Sequence, residues 1–436
     1  MKVFKFGGAS INNAERIKNI GAIFKSYPDE KILVVISAMG KTTNALEKVA
    51  EAFYENKNEE ALQLFEKIKQ DHLIIANQLN GKPINPVRSG TGGQLTDFFT
   101  EVEWLLHDKA VRDFDYYYDQ IVSAGELLSS KIVSAFLHSE KIINNWIDVR
   151  DIIRTDDNFR DANVDIDFTQ AKINEIIQPL FNHTNIVITQ GFIGSTDESE
   201  STTLGREGID YTAALFANMM NAESLTIWKD VEGVMNADPK EFCEAKFIDA
   251  LSYDEVIEMA FYGAQVIHPK TIKPLQNKNI PLHVRCFLKP DAGGTIISNK
   301  HVHQLPPVIV VKLDQVLINL STKDFSFVGE KPMVKLYEIF AELKIKPNLT
   351  QNTAISILIC IDDLHEKIER LALMASEIFE VQLEKELTLL TIRHYNSDII
   401  NKLSKNKIIV LEQKTKDTIQ MLMKSSDSHR HQSKTY

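Results

Sequence analysis

The sequence predicts an α/β fold: a mainly parallel sheet with helices on both faces, which is a three-layer sandwich, followed by two smaller α+β modules. Up to about residue 300, short runs of β-branched residues alternate with helical segments. Such alternation is typical of βαβ units, which build parallel sheets. The runs are apolar nearly throughout, as expected of strands that are buried on both faces. Beyond residue 300 the units become shorter, which indicates a separate region.

In the first region, four runs predict buried strands: Val3–Phe6, Lys31–Ser37, Asn185–Gln190 and Leu225–Trp228. Between the second and third runs, Glu59–Leu79 has the apolar spacing of a helix. Ligands of parallel sheets bind beyond the carboxyl ends of the strands. The residues that follow each run are therefore where we look for chemistry.

The second region begins near His301–Val308 and has the size of two modules of about 60–70 residues each. Its predicted elements are, in order, strand QVLINLS, helix KLYEIFAELKI, strand AISILICI, helix LHEKIERLALMAS, and the strands FEVQLE and LTLLTIRH. We expect domains at 1–300, 308–375 and 376–424, an arrangement that would allow strands to be exchanged between the two modules. The polar tail, 425–436, is expected to be disordered.

The composition is that of an ordinary globular protein, with 44% hydrophobic and 25% charged residues in 436. The net charge of −11 argues against a nucleic-acid partner, although local cations can still bind one small anion. Neither a signal-peptide core nor a run of eighteen apolar residues is present, so we expect a cytoplasmic protein without a membrane partner.

Cysteine and histidine usage predicts no metal site and no disulfide framework. Cys243, Cys286 and Cys360 are odd in number and widely spaced, which fits a reducing compartment. His301 and His303 have no carboxylate at ligand spacing.

Lys5 is the penultimate residue of the first predicted strand, and Gly7 and Gly8 follow that strand directly. Glycine amides can approach phosphate oxygens without obstruction by a Cβ, and Lys5 would add positive charge. The same residues also suit a simple tight turn beside a surface lysine, and the stretch alone does not decide. It matches neither the P-loop nor the dinucleotide fingerprint.

Two further stretches carry polar residues at predicted helix starts. In Ser37–Leu46, Ser37 and Thr43 could donate hydrogen bonds to a ligand, or Thr42 and Thr43 could cap the helix. In SAGELLSS, Glu126 is predicted in the first turn of a helix. It either stabilises that turn through the helix dipole or receives an ammonium group.

The most informative stretch is Thr202–Met220, a glycine-rich loop that leads into an apolar helix. Arg206 in the loop is suited to bidentate binding of a carboxylate. Asp210 either caps the helix or belongs to the site. Farther on, His268 precedes a proline, a setting that favours a structural role.

Together these stretches resemble the aspartate kinases of the amino acid kinase family, over residues 1 to about 300. The resemblance is carried by seven stretches in order: KFGG, SAxxxxTN, SAGE, TQGFIG, TTLGRxGxDYTAA, WxDVxGVxxADP and YGAxVIHP. The modules behind them resemble a pair of ACT domains, the usual regulatory region of this family. The family's fold is the carbamate-kinase-like sandwich.

The resemblance implies ATP-dependent phosphorylation of the aspartate β-carboxylate with Mg²⁺, at the entry to lysine, threonine and methionine synthesis. It also implies feedback by lysine or threonine at the ACT modules and a homodimer or larger homo-oligomer. The catalytic residues it implies are Lys5, Gly8 and Asp210. The substrate-binding residues are Ser37, Thr43, Glu126, Phe192 and Arg206. The nucleotide-binding residues are Lys5, Gly7, Gly8, Lys229, Asp230, Met235, Lys240, Gln265 and Val266.

Five positions depart from the common pattern of the family: Ala9, Glu207, Ile209, Lys229 and Gln265. Ala9 stands where the family usually has threonine, and Ile209 stands where it usually has serine. They leave the affinity and the substrate preference open. A glutamate or N-acetylglutamate kinase is one alternative, and an inactive kinase that senses amino acids through its ACT modules is another. All four charged residues expected at the site are present: Lys5, Glu126, Arg206 and Asp210. Their presence argues against the inactive form.

Overall fold

The computed structural model describes residues 1–80, 91–264, 266–302, 304–324, 326–425 and 434–435. Side chains are not described at 80, 91–94 and 434–435. The chain forms two compact units. The larger unit contains most of the chain up to residue 302. The smaller one contains residues 235–246, 258–264 and those from 304 onward.

Up to residue 302 the strands are short and the helices vary widely in length. The strands are β1 (Lys2–Phe6), β2 (Ile32–Ile36), β3 (Asn145–Trp146), β4 (Ile186–Gln190), β5 (Ile193–Ser195), β6 (Ser201–Thr203), β7 (Ser224–Lys229), β8 (Val234–Met235), β9 (Phe247–Ile248), β10 (Ala250–Ser252), β11 (Leu282–Cys286) and β12 (Thr295–Ser298). The helices are α1 (Ala14–Lys25), α2 (Thr42–Tyr54), α3 (Asn58–Asn80), α4 (Thr91–Leu106), α5 (Phe114–Ser139), α6 (Ile166–Lys172), α7 (Gln178–Leu180), α8 (Gly208–Met219), α9 (Tyr253–Phe261) and α10 (Pro269–Asn277).

Eight of these strands form one sheet in the order β10-β12-β11-β7-β1-β2-β4-β3. The six strands from β11 to β3 run parallel, and β12 is antiparallel to β11. All four predicted strands are present, and every residue of β2 and β4 is buried. The α/β prediction is confirmed. Because β1, β2, β4 and β7 are parallel, their carboxyl ends lie at the same edge of the sheet.

Alternation along β1 divides its side chains between the two faces of the sheet. Phe4 and Phe6 pack on Trp228 and into a core that includes Ile17 of α1. Lys5 lies on the opposite face, where it meets α8. A cation in the middle of this buried strand therefore needs a partner from that helix.

The smaller unit contains an antiparallel sheet in the order β14-β15-β13-β16-β18-β17. Its strands are β13 (Val308–Thr322), β14 (Leu349–Asn352), β15 (Ser356–Asp362), β16 (Phe379–Arg393), β17 (Lys407–Lys414), β18 (Thr418–Ser425) and β19 (Lys434–Thr435), which pairs with β16. Its helices are α11 (Glu330–Leu343), α12 (His365–Ala375) and α13 (Ser397–Ser404).

Strands β13 and β16 each contain fifteen residues and run through both α+β modules. One half of β13 packs in a core with α11 and α12, and its other half packs in a core with α13. The prediction that FEVQLE and LTLLTIRH form two strands is wrong, because β16 contains all of the first and all of the second except its last residue, His394. The ladder shifts register around Gln315, and Asp314 and Glu386 have left-handed backbones, so the pair bends without breaking.

Among the residues that the structure describes, no helix is long and apolar enough to cross a membrane. The three cysteines are free. Of the predicted tail, Ser425 ends β18 and Lys434–Thr435 form β19, while 426–433 and 436 lie outside the described residues.

Candidate active site

The loops that follow β1 and β2 are joined by backbone hydrogen bonds. The Ser37 amide donates to the Phe6 carbonyl, and the Gly40 amide donates to the Gly8 carbonyl, both at 3.1 Å. A Cβ on Gly8 would lie 2.7 Å from the Ala38 oxygen, a distance that real Cβ atoms do not reach. Gly8 therefore allows the two loops to approach each other at the edge where ligands of such sheets bind.

Lys5 forms a buried ion pair with Asp210, with 2.7 Å between Nζ and Oδ1. The Asp210 side chain is only 4% exposed and the Lys5 side chain 11%. Helix α8 begins at Gly208, and Glu207 occupies its N-cap position with a φ of 59°. Asp210 lies inside the first turn, so the alternative that it merely caps the helix is wrong.

A cavity of about 390 Å³ opens beside this ion pair. Six of the predicted residues line it: Lys5, Thr43, Glu126, Phe192, Arg206 and Asp210. Ser37 is buried nearby, and its carbonyl accepts a hydrogen bond from the Ser129 hydroxyl at 2.5 Å. Helix α2 begins at Thr42 without a side-chain cap, so neither Thr42 nor Thr43 caps it.

Glu126 is a fully buried carboxylate at the wall of this cavity, 1% exposed. Neither of its oxygens has a hydrogen-bond partner in the described part of the chain. Burial raises its pKa well above the usual range, and the nearby Ala38 backbone and Lys5 ammonium only partly offset that effect. The structure thus holds an acid here without the partner that buried charges normally require.

The predicted position of Glu126 in a first helical turn is wrong. Helix α5 has twenty-six residues and begins at Phe114, so Glu126 lies near its middle. The residues before it continue the helical pattern, because Tyr117, Tyr118 and Ile121 are buried at that spacing. The helix dipole therefore contributes little to Glu126, since its effect is confined to the first turn.

Arg206 and Phe192 enclose another part of the cavity. Arg206 is exposed, and it forms no ion pair with the side chains that the structure describes. Phe192 has a φ of 72°, and its amide donates to the Thr212 hydroxyl at 3.1 Å. A Cβ on Gly208 would lie 2.8 Å from the Phe192 ring, so the start of α8 packs directly on this aromatic side chain.

Lys229, at the end of β7, donates from Nζ to the Val266 carbonyl at 2.9 Å. Burial lowers the pKa of Lys229, and the Lys5 ammonium adds to that effect while the Asp210 carboxylate opposes it. Asp230 follows directly, whereas Met235 and Lys240 belong to the smaller unit. Gln265 lies outside the described residues.

His268 caps α10, since its ring Nδ1 accepts from the Lys270 amide at 3.1 Å, as the structural interpretation predicts. In the described part of the chain, no group of three or more histidine, cysteine or acidic residues could hold a metal ion.

Sequence reasoning missed three residues that line the cavity: Tyr118, Arg160 and Thr203. Tyr118 lies eight residues before Glu126 on α5, a spacing that could have indicated a shared face. Thr203 lies within the recognised stretch Thr202–Met220, but its hydroxyl gives no separate signal. Arg160 lies in an irregular segment, and no pattern of the sequence points to it.

The model of the amino acid kinase family matches residues 1–286. Lysine-sensitive aspartokinase 3 of Escherichia coli is 31% identical over 363 residues, which are 83% of this chain and 78% of that protein. The E. coli aspartokinase III structure with aspartate and ADP has a TM-score of 0.80 at 27% identity, covering 98% of this chain and 97% of that one. Its complex with lysine and aspartate has a TM-score of 0.79 at 27% identity, covering 98% and 96%.

Proposed function

We infer the reaction from the family: the chain belongs to the amino acid kinase family as an aspartokinase, and it transfers the γ-phosphoryl group of ATP to the β-carboxylate of L-aspartate. The product is 4-phospho-L-aspartate, the first intermediate of lysine, threonine and methionine synthesis. The observation that carries the assignment of the site is the cavity in which Glu126, Arg206 and the Lys5–Asp210 ion pair meet.

The charges of this cavity complement those of an amino acid with a second carboxylate. Glu126 receives the substrate ammonium group, which supplies the partner that this buried carboxylate lacks. Arg206 binds the α-carboxylate through its planar guanidinium. Ser37, Thr43 and Phe192 enclose the carbon chain, so the β-carboxylate is directed toward Lys5.

The acceptor needs no general base, because a carboxylate is already ionised at neutral pH. The obstacle is the repulsion between an anionic acceptor and the phosphates of ATP. Catalysis is therefore mainly positioning and electrostatic stabilisation. Lys5 and the amides of Gly7 and Gly8 neutralise the charge on the transferring group. Asp210 holds the Lys5 ammonium in place.

The nucleotide is bound as its magnesium complex, with the ion held mostly by the phosphates. Lys229 and Asp230 contact the nucleotide at the end of β7. Met235, Lys240, Gln265 and Val266 complete the set that the family resemblance implies.

The α+β modules regulate the enzyme by binding lysine or threonine, and the chain acts as a homodimer. Support for lysine as the effector comes from the complex of E. coli aspartokinase III with lysine and aspartate. An effector of this kind inhibits by binding the less active arrangement more tightly.

A coupled assay of ADP release with aspartate, glutamate and N-acetylglutamate tests the function. We expect turnover with aspartate, and titration with lysine and threonine should lower it. Turnover of glutamate or N-acetylglutamate in preference to aspartate would overturn the substrate. An absence of turnover with all three, together with intact binding of lysine, would favour a sensor.

A further inference from the structure

Asp119 is a buried carboxylate that the proposed chemistry does not use. It lies on α5 seven residues before Glu126, so the two acids share a face of the helix. Its side chain is 0% exposed. Burial raises its pKa to about 6, although the hydrogen bonds that it accepts oppose that rise.

The two oxygens of Asp119 accept three hydrogen bonds from two separate segments. The Arg160 amide donates to Oδ2 at 3.0 Å, and the Thr203 amide donates to the same oxygen at 2.8 Å. The Thr203 hydroxyl donates to Oδ1 at 2.7 Å. One side chain of α5 thereby holds the segment around Arg160 and the segment around Thr203.

The same two segments are also in direct contact. The Ala162 amide donates to the Thr203 carbonyl at 3.0 Å. Gly205 has a φ of 73°, and a Cβ there would lie 2.5 Å from the Asp161 carboxylate and 3.2 Å from the Arg160 carbonyl oxygen, so the two segments approach each other closely. Their relative position is therefore closely determined.

Both segments form walls of the acceptor cavity, which Arg160, Thr203 and Gly205 line. Arg160 has a φ of 68°, a left-handed conformation that costs free energy for a residue other than glycine. Its guanidinium lies 4.2 Å from the centre of the Tyr118 ring. The hydrogen bond from its amide to Asp119 helps to hold this backbone, and with it the side chain at the rim.

We propose that Asp119 is a positioning residue for the acceptor: it fixes the two cavity walls that Arg160 and Thr203 form, and so sets the affinity for aspartate. The inference rests on the proposed assignment of this cavity to the acceptor. Of the nucleotide candidates in the larger unit, which are Lys5, Gly7, Gly8, Lys229, Asp230 and Val266, only Lys5 lines the cavity. Its ammonium is paired with Asp210, which belongs to neither of the two segments that Asp119 holds. The affinity for ATP should therefore be nearly independent of Asp119.

The test compares Asp119→Ala with Asp119→Asn in the full-length enzyme. The alanine removes all three acceptor contacts, whereas the asparagine keeps an oxygen for the two amides and an NH₂ group that can donate to the Thr203 hydroxyl. We expect Asp119→Ala to raise the KM for aspartate about tenfold and the KM for ATP less than about twofold. Asp119→Asn should restore most of the aspartate affinity. Parallel rises in both KM values, or an asparagine variant as impaired as the alanine variant, would overturn the proposal.

Thr203→Val carries the test if Asp119→Ala does not fold, because it deletes only the hydroxyl contact and preserves the size of the side chain. It should raise the aspartate KM alone, and an unchanged aspartate KM would count against the proposal. The activity of the wild-type enzyme distinguishes a failure of the proposed function from a failure of the positioning role. A wild type that does not turn over aspartate refutes the proposed function, whereas normal wild-type turnover with unselective variants refutes only the positioning role.

Discussion

Replacing Glu126 by glutamine should weaken aspartate binding and stabilise the free enzyme at the same time. The carboxylate is 1% exposed, and neither oxygen has a hydrogen-bond partner in the part of the chain described. A buried polar group left without a partner costs about 1–3 kcal/mol, and more when it is charged. Glutamine keeps the shape and remains an unpartnered polar group, but it cannot ionise. We therefore expect a gain in unfolding free energy above the ordinary glutamate pKa, where a pKa difference of one between the folded and unfolded states corresponds to about 1.4 kcal/mol.

The pH dependence of this gain follows from the direction of the pKa shift. The pKa of Glu126 is higher in the folded state than in the unfolded chain. The folded state therefore retains the proton more readily, and the wild type loses stability as the pH rises from the ordinary glutamate pKa to the raised one. Glu126→Gln lacks this loss, so the variant's advantage should grow over that range and vanish below it.

Thermal unfolding and steady-state kinetics measure the two effects together. For a domain of this size, each kcal/mol shifts the Tm by roughly 2–4 °C. Loss of a charged hydrogen bond to the ammonium group should raise the aspartate KM about 10- to 150-fold. Glu140→Gln is the matched control, since Glu140 follows the same helix and forms an exposed ion pair with Lys25. A Glu126→Gln variant that is less stable at mildly alkaline pH and keeps its aspartate KM would refute the reasoning.

Four other predictions concern residues around the cavity and the strand ends. Arg206→Ala should raise the aspartate KM far more than the ATP KM in the coupled assay; equal effects would remove Arg206 from substrate binding. Gly8→Ala should cost about 1–3 kcal/mol in thermal unfolding, because its Cβ would meet the Ala38 oxygen, whereas Gly293→Ala has nothing within 4 Å and should be neutral. The ATP affinity should fall as the pH rises through the lowered pKa of Lys229, and Lys229→Met should abolish this dependence. Ala9→Thr should improve kcat or the ATP KM, and no change would show that a hydroxyl there is dispensable.

The parallel sheet could be predicted because the local sequence of each strand already indicates a buried strand. β2 and β4 are apolar without interruption, and their burial on both faces leaves few other interpretations. The long strands of the smaller unit could not be predicted in the same way. Charged residues at Lys385 and Glu386 interrupt the apolar pattern of β16, as a turn would. The structure accommodates them at an irregularity within the β13–β16 pairing, a feature that depends on the partner strand.

The site residues divide in the same way, into those that the local sequence predicts and those that only the folded chain brings together. Arg206 lies in a glycine-rich stretch whose composition already indicates carboxylate binding, whereas the stretch around Gly8 alone leaves a tight turn and a phosphate site equally open. Arg160 and Tyr118 meet only because an irregular segment folds onto α5, and the pairing depends on a left-handed backbone that the sequence does not reveal. The predicted position of Glu126 is wrong because its neighbourhood resembles a helix start when the preceding turns of α5 are ignored.

The departure at Ile209 bears on affinity and leaves the chemistry intact. Ile209 lines the cavity and packs closely on the residue that follows β4. A Cβ on that residue, Gly191, would lie 2.8 Å from the Cγ2 atom of Ile209. Its side chain therefore contributes packing where the family usually supplies a hydroxyl. Loss of one neutral hydrogen bond costs the substrate about 0.5–1.5 kcal/mol, which is roughly a tenfold change in affinity at most. In the mechanism that we propose, phosphoryl transfer depends instead on Lys5 and Asp210, which form a buried ion pair. These contacts therefore support weaker binding of aspartate with an unchanged reaction.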